Sequence, residues 1–449
     1  MKVSIIGTGY VGLVTGVCLA EKGHQVVCVD IDQTKVEKIN QAIPPIYERG
    51  LEELLKKNIN VNLRATTDLY RSVIETDISL IAVGTPFDGS EIDLTYVKGA
   101  SYQIGEALRD KPAYHVIVVK STVVPGTTDD VVRPLLEEAS GKTVGVDFGV
   151  GMNPEFLREG EAIQDFMFPD RIVLGGHDAR SIDALVELYS VFEGVDRLQT
   201  NNKTAEMIKY ASNSLLATMI SFSNEIGNLC AALGGIDVVD VMKGVHLDKR
   251  VSPILPNGDR IVPAFTSYLE AGCGFGGSCF PKDVKALIAH GEKAGRPMWL
   301  LDAVIQVNKQ QPQQILSLLK SRFPSLQGVR IAVLGLAFKP GTDDMRESPA
   351  IPIVKELLAQ DAGIKAYDPV ANHEARKLFG NRQIVYCDDL AQTLEDVQAV
   401  VLLTRWEEFE RIPELLATLN PQPLVIDGRR MLDKHSVTSY EGIGLREEA

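Results

Sequence analysis

Ten residues, GFGGSCFPKD from Gly274 to Asp283, set one cysteine behind three glycines and follow it with a lysine and a carboxylate. A thiol attacks a carbonyl carbon as its thiolate, and access matters as much as ionisation. Glycines at 274, 276 and 277 would let a bulky substrate lie against the backbone beside Cys279, and they tolerate dihedral angles that other residues resist. The plainer alternative is that Cys279 is a small buried residue, the usual lot of a cysteine.

Polar residues elsewhere bear on that choice. In NKTAEMIKYASNSLLATMISFSNEIGNLCAAL, Lys209 and Asn213 are four apart and share one face of a predicted long helix, with Glu206 one turn earlier. A solvated polar stripe would show the same spacing. In GMNPEFLREGEAI, Asn153 and Pro154 suit the start of a helix whose Glu155 and Glu159 lie four apart. Acids in a first turn also serve simply to offset the helix dipole.

These side chains need a frame, and the chain opens with one. MKVSIIGTGYVGLVTGVCLAEKGHQVVCVDID is a short β-rich run, then Gly7-Thr8-Gly9-Tyr10-Val11-Gly12, then an amphipathic helix and a second strand ending at Asp30. In a dinucleotide site the first glycine permits the tight turn, the second lets backbone approach a pyrophosphate, and the third lets helix and strand pack closely. Asp30 would accept hydrogen bonds from ribose hydroxyls, and a carboxylate there favours NAD over NADP. Further strands end at Gly84-Thr85-Pro86 and at Lys120-Ser121-Thr122. Ligands lie beyond the carboxyl ends of parallel strands, so Thr85 and Thr122 are candidates to line the cofactor crevice, or else they cap turns.

The other end repeats the scheme. GVRIAVLGLAFKPGTDDMRESPAIPIVKELLAQDAGIKAYDP runs strand, glycine-bearing turn, helix, strand and terminal Asp368, without GxGxxG. Lys339, Arg346 and turn N–H groups suit a phosphate but not the same dinucleotide pose. The strands QAVVLLT and QPLVID complete a second, smaller doubly wound sheet. The expected fold is therefore α/β, two Rossmann-like doubly wound domains joined by a long central helix and a helical region continuing to about Asn308. The boundaries are 1–200 for the NAD-binding domain, 201–310 for the helical domain with the cysteine, and 311–449 for the second Rossmann-like domain. A long connecting helix commonly buries an apolar face against a second copy, so a homodimer is expected.

At 449 residues two or three domains are required. A formal charge of −14 gives no general basic field for nucleic acid or an anionic membrane surface, so any phosphate must be held by local donors. The six cysteines show no CxxC pair and no metal-ligand spacing, which points to reduced thiols in a cytoplasmic setting. A glycine fingerprint runs through the apolar start, which argues against a secretory signal. No apolar run reaches the ~18 residues of a membrane-spanning helix.

Taken in order, GTGYVG, VDID, VGTP, KST, NPEFLREG, the helix with Lys209 and Asn213, GFGGSCFPKD and GLAFKPGTDDMRES resemble the UDP-glucose/GDP-mannose dehydrogenase family, from Met1 to about Leu432. The resemblance implies oxidation of the 6-hydroxymethyl group of a nucleotide sugar to a carboxylate with two NAD per sugar, UDP-glucose being preferred. It makes Cys279 the nucleophile of a thiohemiacetal and then a thioester. Lys209 and Asn213 would form the oxyanion site, and Asp283 would orient a water or bond the same lysine. Glu159 and Thr122 would place the catalytic water, and Glu155 would contact substrate or assist proton transfer.

By the same resemblance Gly7, Gly9, Tyr10, Val11, Gly12, Asp30, Lys35, Gly84, Thr85, Pro86, Thr122 and Glu159 would surround NAD. Glu155, Phe156, Leu157, Lys209, Asn213, Tyr268, Gly274, Phe275, Cys279, Phe338, Lys339 and Arg429 would hold the nucleotide sugar; no metal is implied. Three departures from the family pattern stand out. Arg49 follows Glu48 where a proline is common; the segment from Ser252 to Gly277 is longer than usual, which affects the reach of Arg260 toward a neighbouring subunit; and YLEAG suits the spacing of GDP-mannose members. A two-electron hydroxyacid dehydrogenase has no use for Cys279 or a second nucleotide fold. A non-catalytic nucleotide-binding protein has no use for Cys279, Lys209, Asn213 and Asp283 together.

Overall fold

Every residue of the first strand after Lys2 is buried, the pattern of a parallel strand covered on both faces. In the computed structural model, which describes residues 1–380 and 383–446, the chain divides into two units, Met1–Ser212 and Asn213–Ala449. The division falls within the helix Asn202–Leu233, whose 32 residues contain no proline.

The first unit holds β1 (Lys2–Ile6), β2 (Gln25–Val29), β3 (Leu63–Thr66), β4 (Ile78–Ile81), β5 (His115–Val119), β6 (Phe148–Met152), β7 (Arg171–Gly176) and β8 (Asp196–Thr200). Their order is β3-β2-β1-β4-β5-β6-β7-β8, and β6 and β7 pair antiparallel. One face of this sheet packs Val3, Ile5, Leu13 and Val17, and the other packs Ile6, Val27, Ile81 and Val119. The strand order reverses between β1 and β4, which opens the crevice typical of dinucleotide folds.

The second unit holds β9 (Arg330–Leu334), β10 (Gly363–Tyr367), β11 (Ile384–Tyr386), β12 (Ala399–Leu402), β13 (Leu424–Asp427) and β14 (Tyr440–Gly442), ordered β11-β10-β9-β12-β13-β14 and parallel throughout. The repeat seen in the sequence extends to single hydrogen bonds. Gly7 N–H donates to Val29 O at 2.7 Å, and Gly335 N–H donates to Tyr367 O at 2.9 Å. Asp30 accepts from the Thr8 N–H at 2.8 Å, and Asp368 accepts from the Leu336 N–H at 2.8 Å.

The stretch after the long helix is less helical than expected. Helices span Val238–His246, Phe280–Lys293 and Trp299–Arg322, with one short 3-10 turn at Ala264–Tyr268. Residues 247–263 and 269–279 are irregular. Pro253, Pro256 and Pro263 lack the N–H a helix needs, and four glycines follow in the approach to Cys279. The helix Trp299–Arg322 runs through residue 311 with Pro312 inside it.

Candidate active site

The fingerprint turn has room for a pyrophosphate at one glycine only. A Cβ on Gly12 would lie 1.9 Å from Gly7 O, and one on Gly7, whose φ is +99°, would lie 2.8 Å from Ala82 O. Gly9 faces open space, with nothing within 4 Å of an added Cβ, at the N-terminus of the helix Tyr10–Glu21. That is where backbone N–H groups and the helix dipole favour an anion. Asp30 stands beside it, 9% exposed. Burial alone would raise its ionisation, but hydrogen bonds from the Thr8 hydroxyl and from the Asp32 and Thr8 N–H groups, with Lys35 4.0 Å away, hold it below the usual carboxylate range. Oδ2 takes both Thr8 donors, so Oδ1, which takes only the Asp32 N–H, keeps a lone pair for a ribose hydroxyl. Thr85 and Thr122 come together, the Thr85 hydroxyl donating to Thr122 O at 2.7 Å, while Gly84 and Pro86 are exposed. These groups fit an NAD molecule.

Tyr10 does more than fill the fingerprint. Its hydroxyl donates to the buried Glu48, and it accepts from the Gly160 N–H at 2.9 Å. Glu48 also accepts from the N–H groups of Gly160 at 2.7 Å and Ala162 at 2.9 Å. Burial first, and then the Glu48 carboxylate, drive the phenol ionisation upward. Tyr10, beside Val11 at the start of its helix, is thereby bonded to the loop that carries Glu159. Arg49, in place of the family proline, is exposed, and Glu48 is 6% exposed.

No helix begins at Asn153. Residues 153–160 form a loop, and helix starts only at Ala162. The backbone groups that would start it are otherwise engaged: Glu155 takes the Leu157 N–H at 2.6 Å, and Glu48 takes those of Gly160 and Ala162. Glu155 pairs with Lys209 at 3.0 Å, both side chains at most 6% exposed, and Phe156 lays its ring 5.4 Å from the same ammonium. Leu157 and Glu159 are partly exposed.

The polar face of the long helix is buried, not a solvated stripe. Glu206, 0% exposed, accepts from the N–H groups of Gly126 at 2.6 Å and Thr128 at 2.8 Å and from the Thr128 hydroxyl at 2.6 Å. Burial pushes its carboxyl up to about 7 against the pull of those bonds. Lys209 and Asn213 are 3% and 7% exposed.

In the second unit, Cys279 is the N-cap of the helix Phe280–Lys293, where a negative sulfur is best accommodated. It is partly exposed, while the other five cysteines are buried, and all six are free. Asp283, 1% exposed, receives Asn213 Nδ2 at 2.7 Å on one oxygen and Lys282 Nζ at 2.5 Å on the other.

The Cβ side of each glycine before Cys279 is taken up by packing. A Cβ on Gly274 would lie 2.8 Å from Asn308 Oδ1, one on Gly276 2.3 Å from Glu347 O, and one on Gly277 2.7 Å from the Phe338 ring. Chain lies where a substrate was expected. Asn308 grips the backbone of Phe275 at both ends, accepting from its N–H at 2.8 Å and donating to its carbonyl at 2.9 Å. Phe275 and Tyr268 pack on Phe280 at 6.0 and 6.2 Å between ring centroids.

Arg429 donates to Leu403 O at 2.7 Å and to Gly274 O at 3.1 Å, so it too secures the cysteine loop. Lys339 is partly exposed and lies 5.8 Å from the Phe338 ring. Arg346 is forked onto Asp344 at 2.8 Å. Arg260 donates to the carbonyls of Leu247 and Ser252, both at 2.8 Å. A cavity of about 590 Å³ in this unit is lined by residues that include Met242, His246, Glu270, Arg405 and Arg430 and by none of the residues expected from the sequence.

Sequence reasoning missed Glu48, Lys120, Asn153 and Asn308 as supports of the site. Lys120 carried a signal, a lysine directly after the apolar run of residues 116–119 that ends β5. Asn308 carried none, since nothing local marks an asparagine whose partner is 33 residues away.

Models of the UDP-glucose/GDP-mannose dehydrogenase family match along the chain: the NAD binding domain over residues 1–193, the central domain over 203–310 and the UDP binding domain over 332–434. The UDP-glucose 6-dehydrogenase of Haloferax volcanii is 43% identical, covering 99% of this chain and 100% of its own length. That of Bacillus subtilis, TuaD, is 42% identical over 99% and 93%. Among solved structures, a UDP-glucose dehydrogenase from Pyrobaculum islandicum superposes with a TM-score of 0.88 at 39% identity, covering 99% of this chain and 98% of that one. A GDP-mannose dehydrogenase from Pseudomonas aeruginosa gives 0.55 at 35% identity over 99% and 100%.

Proposed function

Because the chain belongs to the UDP-glucose/GDP-mannose dehydrogenase family, we propose that it oxidises the 6-hydroxymethyl group of UDP-glucose to a carboxylate through Cys279. The observation that carries this reading is the placement of Cys279: it alone of six cysteines reaches the surface, and it does so at a helix N-terminus.

Lys209 and Asn213 stabilise negative charge on the reacting oxygen as the alcohol becomes an aldehyde. The Cys279 thiolate adds to the aldehyde carbon, which keeps that intermediate from leaving or hydrating. The resulting thiohemiacetal has a hydrogen to lose as hydride, and its loss gives a thioester. Water placed by Glu159 and Thr122 cleaves the thioester, returning the thiol and releasing the acid, which makes the sequence effectively irreversible. Gly9 and Asp30 would hold NAD, which would supply the hydride acceptor for each of the two oxidations. Asp283 holds Asn213 in position, and Glu155 meets the substrate beside Lys209.

Phe156, Leu157, Tyr268, Gly274, Phe275, Phe338, Lys339 and Arg429 hold the nucleotide sugar, and the three parts of the chain act as NAD-binding (1–200), central (201–310) and nucleotide-sugar-binding (311–449) domains. A homodimer is supported by an apolar stripe on the long helix: Leu215, Phe222 and Leu229, seven apart, are 61%, 48% and 54% exposed. Six free thiols suit a cytoplasmic setting. Among the described residues no helix is long and apolar enough to cross a membrane.

Substrate choice is tested by kcat/KM for UDP-glucose, GDP-mannose and UDP-N-acetylglucosamine under one set of conditions. The reading requires UDP-glucose to lead by at least about 100-fold, the discrimination a few well-placed polar contacts supply. A lead for GDP-mannose would assign the chain to the other branch of the family.

A further inference from the structure

Lys120 is a buried cation that the chemistry above leaves without a task. It follows β5 directly, is 3% exposed, and donates from Nζ to Asn153 Oδ1 at 2.8 Å, with the Phe166 ring 5.9 Å away. A neutral amide is a poor return for taking an ammonium out of water. Such a group is retained where its charge or its bond serves something nearby.

What lies nearby is the pair assigned to the substrate. Asn153 is clamped from three sides: Oδ1 takes both Lys120 Nζ and the Tyr189 hydroxyl, the latter at 2.5 Å, and Nδ2 donates to Val173 O at 2.9 Å. Two residues on, Glu155 emerges with one oxygen on the Leu157 N–H and the other on Lys209. The loop 153–160 has no helical hydrogen bonds of its own, so the Asn153 anchor sets where Glu155 stands.

We propose that Lys120 is a positioning residue for the reaction: through Asn153 and through its charge it holds the Glu155 carboxylate against Lys209. This rests on the reading of Glu155 and Lys209 as substrate-facing groups. The charged groups facing Lys120 are Glu155, which favours its proton, and Lys209, which opposes it; Tyr189 also touches Asn153, and burial drives its ionisation upward. Burial is the largest influence on Lys120 and lowers it to about 8. Its ammonium is therefore complete below that pH and lost as pH rises through it.

The test compares wild type, Lys120→Met and Lys120→Arg in NADH binding, melting temperature, kcat and KM with UDP-glucose from pH 6 to 10, and the crystal structure of Lys120→Met. Lys120→Met is expected to keep NADH affinity within about twofold, to lose 10- to 100-fold in kcat with little change in KM, and to release Glu155 from Lys209. The fall in kcat as pH rises through about 8 vanishes in Lys120→Arg, whose guanidinium cannot deprotonate there, and most of the kcat is restored. Wild-type kcat in Lys120→Met with Glu155 still on Lys209 would overturn the proposal. Should Lys120→Met not fold, a Lys120→Arg enzyme that keeps the wild-type fall near pH 8 overturns it equally. A wild type that oxidises no nucleotide sugar, with Glu155 nonetheless released in Lys120→Met, would leave the positioning intact and defeat the functional reading instead.

Discussion

Asn213 Nδ2 donates to Asp283 Oδ2 at 2.7 Å, fastening the long helix to the first turn of the helix that Cys279 begins. Asp283 is fully enclosed and its second oxygen is taken by Lys282. Asp283→Ala removes both bonds and leaves Asn213 buried without its acceptor. It should cost about 2–4 kcal/mol, below the roughly 3–5 kcal/mol for a fully buried charge pair because Lys282 is 21% exposed, and lower kcat more than it raises KM. Asp283→Asn keeps one hydrogen bond and should cost less than half as much. Urea unfolding and steady-state kinetics on the two variants decide it.

The two glycine clusters should respond oppositely to alanine. Gly276→Ala puts a methyl 2.3 Å from Glu347 O, and Gly277→Ala puts one on the Phe338 ring at a φ of +82°, so each should lower the melting temperature by several degrees. Gly9 has φ −67° and an open Cα face. Gly9→Ala should fold with wild-type stability and raise KM for NAD at least about tenfold, because its methyl enters the space left for pyrophosphate. Melting curves with and without NADH separate the two behaviours.

His115 makes the first unit sensitive to acid. Its ring bonds Ser79 Oγ at 2.7 Å and Thr76 O at 3.1 Å. Burial, and then the charge of Lys111, lower its ionisation from 6.5 to about 3. In the unfolded chain it titrates at its ordinary value, so stability is full above pH 6.5 and is lost as pH falls toward 3. The loss approaches ~1.4 kcal/mol per pH unit. His115→Gln should be less stable at pH 7 yet show a flatter decline between pH 6 and 4, as read by unfolding midpoints across that range.

Repetition and periodicity made most of the fold legible. The GxGxxG turn with its strand, helix and Asp30, and the second turn ending at Asp368, each announce a doubly wound sheet because local spacing fixes the geometry. The candidate site drew notice where a motif carries its own chemistry, as at Cys279, Lys209 and Asn213. Its supports were hidden because they act over long sequence separations: Glu48 on Gly160, Asn308 on Phe275, Glu206 on Thr128. The glycines of GFGGSC were read as space for a substrate, yet the chain itself, through Glu347 and Phe338, takes that space. NPEFLREG looked like a helix start because its Pro and Glu fit one, and only tertiary bonds to Glu48 and Lys209 show why it stays extended.

The most direct measurement is NADH formed per UDP-glucose consumed, for wild type and for Cys279→Ser. The account predicts two NADH per sugar from wild type and at most one from the variant, which has no thiolate to hold the aldehyde for its second oxidation. One NADH per sugar from wild type, or an unimpaired Cys279→Ser, would contradict it and leave Cys279 a structural residue.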